Sequence, residues 1–245
     1  MSGAIIEVRH LSKTFSFEAG FFARGERTVY AVNDVSFSIQ RGSTYGLVGE
    51  SGCGKTTTAR LLVGMYSPTS GEIRYVSEAG EARNITLYTK SEMRAYREKV
   101  KYIFQDPARS LNPRMNVYEI LTSPLRYSSK RRGKDDAKER AVKIIKEVGM
   151  SEADLFRRPS EFSGGQRQRI SIARALIMEP EALICDEVIS ALDVSIQGQI
   201  INLLDDLRKT RSLSFLFITH DLKAASYFCD VIGVMYRGIL VEEAP

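Results

Sequence analysis

The sequence predicts an α/β protein: a core with a mostly parallel sheet, an antiparallel β subdomain at the N-terminus and an inserted helical subdomain. Three observations predict it. Short apolar runs at 44–48, 182–187 and 213–220 have the pattern of strands buried on both faces of a parallel sheet. A glycine-rich loop joins the first of them to an amphipathic segment. From Met93 to about Phe162 the chain becomes charged and helix-periodic. The predicted division is therefore a core of 1–92 and 163–245, interrupted by a helical subdomain at 93–162.

Taken in order, residues 5–9 (IIEVR) and 35–39 (VSFSI) read as strands. In the second, Val35, Phe37 and Ile39 alternate with serines, as on a half-buried strand. Between them, "EAGFFARGERT" contains Gly20 and Gly25 and reads as a loop insertion. Residues 56–66 read as a helix with Ala59, Leu62, Val63 and Tyr66 on one face. In the insertion, Val142, Ile145 and Val148 recur about one turn apart, and "SSKRRGKDD" reads as an exposed connection. A helix is expected from Gly165 to about Met178, stopping near Pro180. "VMYRGILVEEAP" reads as a hairpin turning at Arg237-Gly238.

Composition narrows the function classes. The 245 residues are 43% hydrophobic with 35 basic and 30 acidic side chains, which suits a globular protein with a substantial core. No run of 18 apolar residues suggests a membrane span, and Met1–His10 has no signal-peptide core. The expectation is a cytoplasmic protein. Cys53, Cys185 and Cys229 match no zinc spacing and no disulfide framework. A net charge of +5 permits an anionic partner, although a solvated surface is the ordinary reading.

The chemistry sits in a few short stretches. Gly49-Glu50-Ser51-Gly52-Cys53-Gly54-Lys55-Thr56, followed by Thr57, has the spacing of a phosphate-binding loop between strand and helix. Its glycines let successive backbone N–H groups face one concavity, and the helix start adds positive partial charge. Lys55 supplies a point charge for the β- and γ-phosphates, and Thr56 a hydroxyl for Mg²⁺. "LICDE" supplies a second metal anchor, Asp186, and a group to orient water, Glu187. His220 and Gln105 fall at two more apolar strand ends, where ligands of open α/β sheets collect. They suit contacts to a γ-phosphate and a metal-bound water. "FSGGQ" places Ser163 and two glycines before a helix, making a second anion-ready helix start. Two phosphate-facing surfaces in one chain suggest a dimer in which each chain completes the other's site.

Nearly the whole chain resembles the ATPase subunit of ABC transporters, a family with a P-loop NTPase core. "GESGCGKTT" resembles Walker A, "FQDP" the Q-loop with Gln105, "FSGGQ" the LSGGQ signature with Phe162 in place of Leu, "LICDE" Walker B, "SALD" the D-loop and His220 the switch histidine. The resemblance implies ATP and Mg²⁺ as cofactors, with Mg²⁺ near Thr56, Gln105 and Asp186. It implies ATP held between Walker A of one subunit and Ser163, Gly164, Gly165 and Gln166 of the other. It also implies adenine stacked on an N-terminal aromatic residue, here Phe15, with Tyr30 as the alternative. "FQDPARSLNPRMNV" and "ALDVSIQGQIINLL" resemble the peptide/nickel importer branch. That branch implies a homodimer or a heterodimer with a related ATPase on the cytoplasmic face of the inner membrane. Its other parts are two integral-membrane permeases and an extracytoplasmic substrate-binding protein, with peptide as cargo and nickel or oligosaccharide still open. No nucleic acid is expected. The alternatives are a soluble ABC-type ATPase acting on ribosomes or DNA, and an exporter ATPase. Two features depart from the pattern. Val188-Ile189 stand where Pro-Thr is usual, and the branch commonly continues beyond the position of Pro245.

Overall fold

The computed structural model describes residues 3–18, 26–128 and 134–245. In chain order its elements are β1 (Ala4–Glu18), β2 (Glu26–Gln40), β3 (Thr44–Val48), α1 (Lys55–Leu62), β4 (Ser70–Val76), β5 (Ala82–Asn84), α2 (Lys90–Lys99), β6 (Val100–Ile103), α3 (Pro107–Ser110), α4 (Val117–Thr122), α5 (Lys134–Glu147), α6 (Gly164–Leu176), β7 (Ala182–Asp186), α7 (Val194–Arg211), β8 (Ser214–Thr219), α8 (Leu222–Phe228), β9 (Val231–Tyr236) and β10 (Ile239–Ala244). They fall into two compact units, 1–93 with 214–245, and 94–213.

In the first unit, β3 lies between β8 and β9 and runs parallel to both, and β10 closes the edge antiparallel to β9. Every residue of β3 and β8 is buried. That explains why these runs are continuously apolar rather than alternating. Phe215 and Phe217 set their rings edge-on to Phe228 of α8, at 5.4 and 5.2 Å. Burying each such side chain contributes about 1.5–3 kcal/mol. The hairpin at Arg237-Gly238 forms as the sequence predicts.

The antiparallel sheet has the order β2-β1-β4-β5. β1 and β2 are much longer than the strands expected at 5–9 and 35–39, and they pair from Ala4↔Gln40 out to Glu18↔Glu26. The expected loop insertion shortens accordingly, and its centre, 19–25, lies outside the described residues. The cause is a pair of opposed irregularities. His10 (φ 47°) and Asp34 (φ 53°) are both left-handed, and the register shifts beside them. Each adds one residue out of phase, so the buried set steps from Val8 to Leu11 and from Val32 to Val35. The His10 ring bonds Asp34 across the pair at 2.8 Å. β4 and β5 continue this sheet, with Ile73 and Tyr75 buried.

α1 is shorter than expected. It ends at Leu62 with Val63 as its cap, so Tyr66 lies beyond it. Ala59, Leu61, Leu62 and Val63 are buried, and Tyr66 packs edge-on to Phe15 at 5.6 Å.

In the second unit, β6 and β7 pair in parallel, from Val100↔Ala182 to Ile103↔Cys185. α6 packs against α3, α4, α5, α7 and β6. On α5 the buried face is Ala141, Ile144 and Ile145, continued by Val148 just past the helix end, while Val142 is only half-buried at its margin. Within "SSKRRGKDD", 129–133 lie outside the described residues. Arg211 at the end of α7 binds Glu147 of α5 at 2.5 Å.

Candidate active site

Each unit gathers its own share of the expected residues. In the first, the phosphate loop leaves β3 at Val48 and enters α1 at Lys55. β3 and β8 end side by side, with Val48 opposite Thr219. Gly49 and His220 therefore emerge at the same carboxyl edge of two neighbouring parallel strands. That is where such sheets bind ligands. His220 is exposed there, just before Asp221, whose carboxylate caps α8 through Lys223 N and Ala224 N.

The Lys55 side chain is 4% exposed. Its ammonium donates to the carbonyls of Gly49 (2.7 Å) and Glu50 (2.8 Å) and lies 3.7 Å from Cys53 Sγ. The charge is thus drawn back over the loop that the glycines open. Gly54 has φ 115°, and a Cβ there would run into the Ala31 carbonyl and come within 2.6 Å of Met235 Cε. Only glycine combines that backbone angle with that approach. The β9–β10 turn supports the loop from the other side, since Gly238 N donates to Cys53 O at 2.8 Å. Ser51 and Gly52 are exposed at the tip, and Thr56 and Thr57 are half-buried at the helix start.

The two aromatic candidates differ in setting. Phe15 is half-buried, under Lys13 Nζ at 5.1 Å and against Tyr66. Tyr30 is 60% exposed, and its neighbour Ala31 is the residue whose carbonyl lies against Gly54.

In the second unit, β6 and β7 also end together. Asp186 is buried at the tip of β7 and accepts a short hydrogen bond from the Tyr102 hydroxyl. Tyr102 was not anticipated; its only sequence signal is a lone hydroxyl in the "KYIF" strand. Glu187 follows in a left-handed conformation, φ 48°, which is strained for a residue with a side chain. Its carboxylate accepts from Gln105 Nε2 at 2.8 Å, leaving the Gln105 amide oxygen as an acceptor. Val188 and Ile189, in place of Pro-Thr, are 2% and 1% exposed. They are held by apolar burial rather than by a fixed φ.

The Ser163 start of α6 is a full capping box. Gln166 N donates to Ser163 Oγ at 3.3 Å, and Ser163 N donates to Gln166 Oε1 at 2.9 Å. A Cβ on Gly165 would stand 2.6 Å from Ile196 Cγ2 of α7, so this position too requires glycine. Phe162 is buried beneath the Arg157 guanidinium, 4.4 Å from the ring. Arg174 of α6 donates to Ser110 O of α3 at 2.6 Å, tying the segment after Gln105 to this helix, and burial lowers its pKa.

Among the described residues, no group of three or more His, Cys, Asp or Glu side chains could hold a metal by itself, and no helix is long and apolar enough to cross a membrane.

A glycine loop closed over a lysine in one unit, and in the other a strand end with a buried aspartate followed by a glutamate, are the parts of a nucleotide-hydrolysing cassette. The profile of the ABC transporter family matches residues 32–190, and the chain belongs to that family as an ABC-type ATPase. The chain is 45% identical over 245 residues to the oligopeptide transport ATP-binding protein OppF of Bacillus subtilis (strain 168), covering all of this chain and 77% of that protein. It is 42% identical over 240 residues to OppF of Escherichia coli (strain K12), covering 97% of this chain and 70% of the relative. Among solved structures, the dimeric bacterial ABC transporter cassette MJ0796 superposes with a TM-score of 0.82 at 25% identity, covering 98% of this chain and 97% of that one. A dimeric post-hydrolysis state of MJ0796 bound to ADP and Pi gives a TM-score of 0.81 at 25% identity, with the same coverage.

Proposed function

We propose that this chain powers peptide import. It acts as the ATP-hydrolysing subunit on the cytoplasmic face of the inner membrane, against two permeases fed by an extracytoplasmic binding protein. One observation carries the chemistry. The residue after the buried aspartate is a glutamate with a strained, left-handed backbone, and its carboxylate is oriented by a glutamine amide. Such a group is fixed before it meets water, and fixed geometry is where an in-line hydrolysis gains most. The cargo class rests on the oligopeptide relatives.

In this reading Lys55 turns from its own loop to the β- and γ-phosphates, and the N–H groups of Gly49–Thr57 cradle them. Phe15 or Tyr30 supplies a ring for adenine. Glu187 orients the attacking water, and His220 donates to the γ-phosphate. Magnesium fits the donors. The Thr56 hydroxyl, the Asp186 carboxylate and the Gln105 amide oxygen are hard oxygen ligands, and Mg²⁺ takes few of these and keeps its waters. Bound with ATP, it supplies charge neutralisation at the phosphates. Ser163, Gly164, Gly165 and Gln166 serve the nucleotide of a second cassette, a copy of this chain or a relative. Residues 1–92 and 163–245 act as the ATPase core and 93–162 as the helical subdomain facing the permeases.

The test is to tag the chain, extract membranes in a mild detergent and identify what co-purifies. Two polytopic permeases are expected, with or without a second ATPase. Ribosomal proteins or DNA, without a permease, would overturn the importer reading.

A further inference from the structure

The stretch between Glu187 and α7 is a tight double turn, fastened by hydrogen bonds within the second unit. The Ser190 hydroxyl donates back to Glu187 O at 2.9 Å. Leu192 N donates to Ile189 O at 3.1 Å. The Gln197 side chain reaches back from the first turn of α7. Its Nε2 donates to Ile189 O (3.2 Å) and to Leu192 O (3.0 Å). Two carbonyls converging on one amide fix its orientation, because only the nitrogen can face them. This clasp stands beside the two buried side chains that replace the usual Pro-Thr pair, Val188 and Ile189. It closes the loop that begins at the strained Glu187. One residue away from the clasp, Ile196 presses on Gly165 of the signature start.

We infer that Gln197 is a positioning residue for ATP hydrolysis, holding the 187–192 turn so that Glu187 stays in its strained, water-orienting conformation. This rests on the role given to Glu187 above. A left-handed glutamate persists only where its surroundings over-determine it. The clasp is an element of those surroundings that a side-chain change can remove while leaving the apolar core untouched. Gln197 touches neither the phosphate loop motif nor the carboxylates themselves, so its loss acts on turnover and not on nucleotide affinity.

The experiment compares steady-state ATP hydrolysis, ATP affinity and thermal midpoint for the purified full chain and its variants. Gln197→Ala removes the clasp. Gln197→Glu keeps the shape but offers the two carbonyls no donor. Gln197→Lys restores a donor. Loss of a positioning contact of this kind is expected to cost about 10-fold in kcat, with KM within about 2-fold, the Glu variant at least as impaired as the Ala variant, and the Lys variant partly rescued. In a Glu187→Gln background, Gln197→Ala should add nothing, because residues acting as a unit are not additive. Unchanged kcat in both the Ala and Glu variants would overturn the inference. So would an equal loss in the Glu187→Gln background, or a parallel fall of affinity and thermal midpoint. If Glu187→Gln itself turns over normally, the role of Glu187 fails, and that result is separate from any effect of Gln197.

Discussion

Lys55 shows how much of the site one residue can carry. Its ammonium is buried and satisfied by two carbonyls of its own loop. Replacing it by alanine removes the charge meant for the phosphates and leaves those carbonyls without their donor. Charge-assisted hydrogen bonds contribute about 1.5–3 kcal/mol, and about 1.4 kcal/mol is tenfold in affinity. Lys55→Ala is therefore expected to weaken ATP binding about 10- to 100-fold, measured by calorimetry or a fluorescent nucleotide. Unchanged affinity would remove Lys55 from the phosphate site. The motif residues were legible in the sequence because each has a chemical signature at fixed spacing. Their supports were not. Tyr102, Met235 and Gly238 reach the site through sheet neighbours that are distant in sequence. Gln197 acts through backbone carbonyls, which leave no mark on the residue types they bind.

At the scale of elements, the strands buried on both faces were read correctly, since continuous apolarity survives without any knowledge of partners. β1 and β2 were read short for a physical reason. The bulges at His10 and Asp34 break the alternation of two, so a periodic reading stops where the strand does not. α2 begins with a reciprocal cap that also fixes a pH dependence. Glu92 Oε2 accepts from Thr89 N and Oγ1, both at 2.8 Å, and Oε1 accepts from Arg83 at 2.8 Å. Chiefly through Thr89, these bonds hold the Glu92 pKa down from 4.5 to about 2. A depressed carboxylate stabilises the fold above its unfolded pKa and loses that contribution as pH falls through the folded value. The difference in thermal midpoint between wild type and Glu92→Gln should therefore be full above about pH 5 and shrink steadily below about pH 4.5. A difference that stays constant across that window would mean the cap does not titrate with folding.

At the scale of the whole molecule, the proposed function depends on a second cassette. The signature start at Ser163 is capped and open but holds no lysine or carboxylate with which to process a nucleotide alone. The solved cassettes that the chain resembles are dimers. With hydrolysis blocked, ATP should hold two chains together. Glu187→Gln is expected to lower turnover by about 100-fold or more, the usual loss when a water-activating group goes. It should also sediment as a dimer in ATP and as a monomer without it. A variant that stays monomeric in saturating ATP would argue that the signature surface does not complete a partner's site.

The clasp of the β9–β10 turn on the phosphate loop also bears on biosynthesis. The loop is translated within the first quarter of the chain, yet both strands beside β3 and the turn that grips Cys53 come from 214–238. A nascent chain that has emerged only as far as Leu213 has its whole Walker A sequence and no neighbour on either side of β3. Pairings at such separation pay a large loop-closure cost and form late. Nucleotide capture thus waits until residues 214–238 have been made, so a chain stalled before them cannot compete with finished cassettes for ATP.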